Sequence, residues 1–266
     1  MRYLAPQFET IWQDKDPFIE VSKLEGEIYR EVKSRRTLRF KFMGKHYFAK
    51  IHFGIGWREI FKDIAQLRLP IIGARNEWDA IKKLVELDIN TMTPVAFSSQ
   101  GFNPARLKSF IVTEELSDTI ALEDYCKSWH KHKPEFKIKI ELIRILANVS
   151  RIMHSSGMCH RDYYLCHFHL HPARSQGGQL KVSLIDLHRA LISKRLAKRW
   201  VIKDIAGLYF SAMDIGLSNR DLYRFITLYT GRSLREALLD SDGFWGSVNA
   251  RATKLYGREN SARESI

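Results

Sequence analysis

Three cysteines in 266 residues (Cys126, Cys159 and Cys166) are too few for a disulfide framework and fit a reducing cytosol. No apolar run approaches the ~18 residues that a membrane-spanning helix needs. The first dozen residues show no basic flank leading into an apolar core, so no secretory leader is expected. Low-complexity linkers and internal repeats are also missing, which argues against solenoids and tethered arrays. What is present is ample apolar material: 45% hydrophobic and 12% aromatic residues build a core and exclude a disordered chain. The length suits one large domain or two small lobes.

Negative charge is the other shortage. Lys and Arg number 43 against 30 Asp and Glu, leaving +13. Between Tyr29 and Lys50 there are eight Lys or Arg and a single acid, Glu31. From Leu187 to Lys203 there are six and no acid. Most charge runs are solvated faces, but two runs without counter-charges, each beside a candidate site, point to anionic partners. Nucleic acid, an acidic membrane surface and a phosphorylated glycolipid all fit this pattern. No helix-turn-helix, RNA-binding aromatic motif or zinc-finger spacing supports the first, so no nucleic-acid partner is expected.

Periodicity predicts an α+β chain. Residues 25–42 alternate and are rich in β-formers, Met43-Gly44-Lys45 turns, and 46–52 returns as a strand. Over 54–69 the period becomes helical at Trp57, Ile60, Phe61, Ile64 and Leu67, until Pro70 stops it. A second helix is expected over 74–87, with strands around 94–97 and 109–112. Then helices take over: Leu142, Ile145, Leu146, Val149, Ile152 and Met153 form one stripe, closed by Gly157. A hairpin is expected over 166–188 with its turn at 172–179, then helices over 202–213 and 220–228. The polar tail after Ala250 is expected to fray. The boundary falls near 114–118, dividing the chain into 1–116 and 117–266.

Four chemical features follow one another. Lys50 closes the strand Tyr47-Phe48-Ala49-Lys50-Ile51. Glu77 shares a helix side with Ile81 and Leu84, which points a carboxylate into an apolar stripe and demands a cation. His160-Arg161-Asp162 comes directly after the Gly157 cap. Leu184-Ile185-Asp186-Leu187-His188 ends a strand. Each alone is weak; the ordered set in strand, helix, loop and strand is not.

That order resembles the two-lobed protein-kinase-like fold, with a β-rich N-lobe and a mainly helical C-lobe. The resemblance implies that Lys50 holds nucleotide phosphates with Glu77 as its ion-pair partner, and that residues Glu114, Glu115 and Leu116 form the adenine hinge. It implies that Asp162 accepts the substrate hydroxyl proton, that Asp186 binds Mg²⁺ beside ATP, and that Asp204 braces the catalytic loop. Departures are equally plain. Where that fold has a Gly-rich phosphate loop, this chain has Glu31-Val32-Lys33-Ser34-Arg35-Arg36-Thr37, whose basic side chains would replace glycine backbone contacts. His167 stands where the second metal ligand is normally asparagine, and no Ala-Pro-Glu segment is present. Ser193 is the sole hydroxylated residue between Leu187 and Lys203, which argues against activation by phosphorylation there.

A rival chemistry occupies Cys166-His167-Phe168-His169-Leu170-His171. Strand alternation would put His167, His169 and His171 on one face, where three imidazoles suit an open zinc site.

In wording, Cys159 to Leu170, with Asn76-Glu77-Trp78 and Leu184 to Ala190, resembles the bacterial lipopolysaccharide core heptose kinases, the heptose(I) kinases in particular. The resemblance implies transfer of the ATP γ-phosphate to the first inner-core heptose of lipopolysaccharide, at the cytoplasmic face of the inner membrane. It places Arg189, Arg195 and Arg199 where they would bind the anionic acceptor. The apolar stripe from Trp57 to Ile64, flanked by Arg58, Lys62 and Arg68, is packed on its own lobe, laid on a lipid surface or used to seat a partner. The positive charge leaves room for an acidic protein partner. A protein kinase acting on Tyr or Ser, and a non-catalytic scaffold of the same fold, are the competing functions.

Overall fold

The structure is a computed structural model that describes residues 1–66, 70–172, 178–239 and 243–264. The chain packs as two compact units. The first comprises residues 1–83, 91–117 and 186–189, and the second 84–90, 118–185 and 190–266.

The first unit is built on strands β1 (Arg2–Leu4), β2 (Glu27–Val32), β3 (Arg35–Phe42), β4 (Lys45–His52), β5 (Pro94–Gln100) and β6 (Lys108–Glu114). They form one antiparallel sheet in the order β1-β5-β6-β4-β3-β2. Period-2 alternation divides its faces. Leu38 pairs with Ala49 and Phe40 with Tyr47, and these four are buried with Phe8, Trp12, Phe18 and Val21 of the helices α1 (Pro6–Trp12) and α2 (Pro17–Ser22). Each such large side chain contributes ~1.5–3 kcal/mol by leaving water. The opposite face carries Thr37 paired with Lys50 and Arg35 paired with His52. Helix α3 (Gly56–Ala65) belongs here, as do residues 75–83 of α4 (Arg75–Glu86), whose Trp78 stacks on Phe97 at 4.8 Å. Leu67, expected in the helical period of α3, and Arg68, expected to flank its stripe, lie outside the described residues.

The second unit contains β7 (Ile120–Ala121), α5 (Leu122–Cys126), α6 (Phe136–Ser155), β8 (Met158–Cys159), β9 (Phe168–His171), β10 (Lys181–Leu184) and β11 (Leu191–Ile192). It continues with α7 (Lys198–Ser211), α8 (Asn219–Thr230), α9 (Leu234–Leu239) and α10 (Phe244–Glu264). Strands β10-β9-β7 form a small sheet and β11-β8 a ribbon. The expected hairpin exists as β9–β10; residues 173–177 of its turn lie outside the described residues. Ser218 and Asp221 close a reciprocal capping box on α8, and Gly231 ends it at φ 68°. The tail expected to fray after Ala250 is instead the second half of α10. Val248 and Ala252, one turn apart, are buried against Ile205 and Ala206 of α7, and that packing outweighs a polar composition. Helices of this unit also line an open, mainly apolar pocket of about 440 Å³, bounded by Leu122, Leu142, Ile143, Ile205, Leu208 and Trp245 among others.

Candidate active site

Lys50 leaves β4 on the face opposite the apolar core. Its Nζ lies 2.7 Å from Glu77 Oε1 and 3.2 Å from Asp186 Oδ1. Burial works against its charge, but the two carboxylates outweigh burial and hold the ammonium above the ordinary lysine range. Glu77, only 1% exposed, arrives from the first turn of α4; its other oxygen, Oε2, is buried with no hydrogen-bond partner among the described residues. Asp186 sits in a left-handed conformation at φ 60°, and His188 Nδ1–H donates to its Oδ1 at 2.7 Å. His52, on the same sheet face as Lys50, is driven down to about 3 by burial and by Arg35, Lys50 and His188, so it is neutral.

The His160 loop is held from three sides in the second unit. Asp204 of α7 is fully buried, and its carboxylate accepts the backbone N–H groups of His160 at 2.6 Å and Arg161 at 2.7 Å. Arg161 is left-handed at φ 72°, a conformation costing of order 1 kcal/mol outside glycine, and these bonds over-determine it. His160 Nε2–H donates to the Ile185 carbonyl at 2.8 Å, which leaves Nδ1 to accept the Asp162 N–H at 3.3 Å. The carbonyl of Asp162 accepts His167 Nδ1–H at 2.7 Å. Behind the loop, Gly157 has φ 83° and its would-be Cβ position is filled by the Ser193 carbonyl, so no other residue fits.

The remaining expected residues divide. Glu114 ends β6 with Lys45 Nζ at 3.4 Å, and Glu115 accepts Arg39 through Nε and Nη2 at 2.9–3.1 Å, while Leu116 follows half-buried. Arg189 closes the single turn Leu187–Arg189, adjoining Asp186. Arg195 lies just before α7, and the Arg199 guanidinium stacks 4.9 Å from the Trp200 ring, as does that of Arg161. The three-histidine zinc face does not form. His167 belongs to a 3₁₀ turn ahead of β9, not to the strand, and His169 and His171 are hydrogen-bonded to Thr119 and Ser183. No group of three metal-ligating side chains converges among the described residues. Sequence reasoning missed Lys203, whose Nζ lies 3.9 Å from Asp162 Oδ1; it was visible only as one member of a basic run.

Chain order defines the class: a lysine strand, a glutamate helix, a braced His-Arg-Asp loop and a strand-ending aspartate succeed one another as in kinase-like phosphotransferases. The family is narrower. The pattern of the "Lipopolysaccharide kinase (Kdo/WaaP) family" matches residues 19–229, and the chain belongs to that family. It is 46% identical over 264 residues to the lipopolysaccharide core heptose(I) kinase WaaP of Escherichia coli, covering 99% of both chains. It is 46% identical over 257 residues to the enzyme of the same name from Pseudomonas aeruginosa, covering 96% of each. The solved structure "WaaP in complex with acyl carrier protein" matches with a TM-score of 0.84 at 42% identity, over 96% of this chain and 99% of that one.

Proposed function

We propose that the protein is an ATP-dependent kinase that phosphorylates a hydroxyl of the first inner-core heptose of lipopolysaccharide. Near full-length identity to heptose(I) kinases carries the reading, and it favours a sugar acceptor over a peptide or a scaffold role. In this reading the chain spans the β-rich nucleotide-binding part, 1–116, and the catalytic and acceptor-binding part, 117–266.

Phosphoryl transfer needs positioned charge more than covalent help. Lys50, oriented by Glu77, faces the nucleotide phosphates, and Glu114 to Leu116 hold the adenine. Asp162 orients the acceptor hydroxyl and takes its proton as the phosphoryl group leaves ADP. Lys203, its Nζ 3.9 Å from Asp162 Oδ1, lies where it would help to orient that carboxylate. Asp186 would offer Mg²⁺ a carboxylate, and His167 would offer an imidazole nitrogen. An imidazole is a softer donor than the usual amide oxygen, so Asp186 is the stronger half of the pair. When bound, Mg²⁺ would neutralise charge on the phosphate oxygens. Arg189, Arg195 and Arg199 would pair with acidic groups of the acceptor.

The acceptor is lipid-anchored, so the enzyme works at the cytoplasmic face of the inner membrane. Exposed Trp57, Phe61 and Ile64 on α3, beside Arg58 and Lys62, suit a peripheral contact there. An acidic carrier protein is the partner that the charge of +13 and the apolar pocket favour.

The decisive experiment follows labelled γ-phosphate from ATP and Mg²⁺ into lipopolysaccharide lacking core phosphate, with a peptide mixture alongside. Label should enter the core sugar with the native protein and not with Asp162→Asn. Label confined to peptide would overturn the sugar acceptor.

A further inference from the structure

We infer that Arg30 and Arg35 form a side-chain clamp on the nucleotide's β- and γ-phosphates, doing with guanidinium groups what a glycine-rich loop does with backbone N–H groups. The inference rests on the reading of Lys50 as the nucleotide-phosphate lysine.

Register places the clamp. Opposite residues of an antiparallel pair share a face. Arg30 pairs with Thr37, and Thr37 with Lys50, so one row across β2, β3 and β4 carries Arg30, Thr37 and Lys50. The next row carries Val32, Arg35 and His52. Arg30 reaches this face because the pairing shifts between Ile28 and Arg30, a local irregularity that re-aims the strand. Arg30, Arg35 and Lys50 therefore project from one sheet surface.

Charge balance gives the clamp its ligand. Lys50 is answered by Glu77 and Asp186. Neither Arg30 nor Arg35 meets a carboxylate within 4.0 Å among the described residues. Among the described residues, Arg35 donates from Nε to Thr37 Oγ1, at 3.4 Å. Burial and then the neighbouring Arg30 push Arg35 below the usual arginine range, while Glu77 and Asp186 pull the other way. Two adjacent guanidinium groups, one of them half-buried, repel each other and lose hydration; such an arrangement is stabilised by an external polyanion. Planar guanidinium forks match phosphate oxygens. The backbone is not an alternative here. Strands β2 and β3 stay paired through Glu31–Arg36 and Val32–Arg35, up to a two-residue turn, Lys33-Ser34, without glycine.

The test is calorimetric binding of ATP, ADP, AMP and adenosine to the full-length protein and to Arg30→Gln, Arg35→Gln and Lys41→Gln. Lys41 lies on the same face at the far end of β3, so its variant removes an equal charge away from the clamp. The exposed position of Arg30 keeps one clamp variant clear of the core. Either clamp variant should weaken ATP roughly tenfold or more, ADP less, and adenosine not at all. Lys41→Gln should change all four by less than about twofold. Unchanged ATP affinity in both clamp variants, or equal losses for ATP and adenosine, would overturn the clamp. A native protein that binds none of the four would overturn the nucleotide reading itself, and the clamp with it.

Discussion

Glu77 meets Lys50 through one oxygen at 2.7 Å and keeps the other buried with no hydrogen-bond partner among the described residues. The pair therefore does two jobs: it aims the lysine, and it makes a buried carboxylate tolerable. Lys50→Met should lose phosphate transfer and also destabilise the fold by about 3 kcal/mol in urea unfolding, because a buried charge is stranded. Adding Glu77→Gln to Lys50→Met should recover part of that stability and none of the activity. Additive losses of stability would show that the two side chains do not depend on each other.

Asp204 gives the second prediction. Its carboxylate accepts two backbone N–H groups, at His160 and Arg161. Asp204→Ala strands both donors in the interior, at about 1–3 kcal/mol each. A melting temperature lowered by several degrees, with phosphate transfer reduced more than the loss of folded protein explains, is the expected result.

His52 sets an acid limit. Its folded-state value of about 3 lies below the unfolded value near 6.5, so between those values the unfolded chain binds the extra proton. Its contribution is complete above pH 6.5 and falls by up to about 1.4 kcal/mol for each pH unit below that. Urea unfolding between pH 7 and pH 4 should show the slope, and His52→Gln should flatten it by close to one proton.

Thiol chemistry separates the three cysteines. Burial pushes Cys126 and Cys159 up to about 12, whereas Cys166 is partly exposed. At pH 8 a thiol of that value is ionised to about one part in ten thousand. A maleimide should label native protein at Cys166 alone, and all three residues in urea; native labelling at Cys159 would show that the loop opens.

How much of this was legible in the sequence depended on how locally each feature is encoded. The partnership of Lys50 and Glu77 could be read because Ile81 and Leu84 fix the buried side of α4, and a carboxylate there requires a cation. Asp204 came only through the resemblance to the kinase-like fold, because nothing local in its helix marks the two backbone N–H groups that it accepts. The clamp could be read only in part: basic residues where glycine was expected were visible, but not which ones share the face of Lys50, since the pairing shift at Ile28 and Arg30 is a property of two strands together. Helices α1 and α2 carried start signals, Pro6 and the Asp16-Pro17 cap, yet at seven and six residues they are too short to show a stripe. The part of α10 after Ala250 does not show in the sequence because Ala252 is a small marker of a buried side, and its partners on α7 lie more than forty residues earlier in the chain.

The turn at Lys33-Ser34 bears on turnover. A glycine-rich flap must lift before product departs, and that motion drags on the solvent. A two-residue hairpin tip between paired strands has little to lift, and its grip on phosphate is made of charge, which dissolved ions weaken. Product departure from this enzyme should then be nearly indifferent to added sucrose or glycerol, and quickened by potassium chloride.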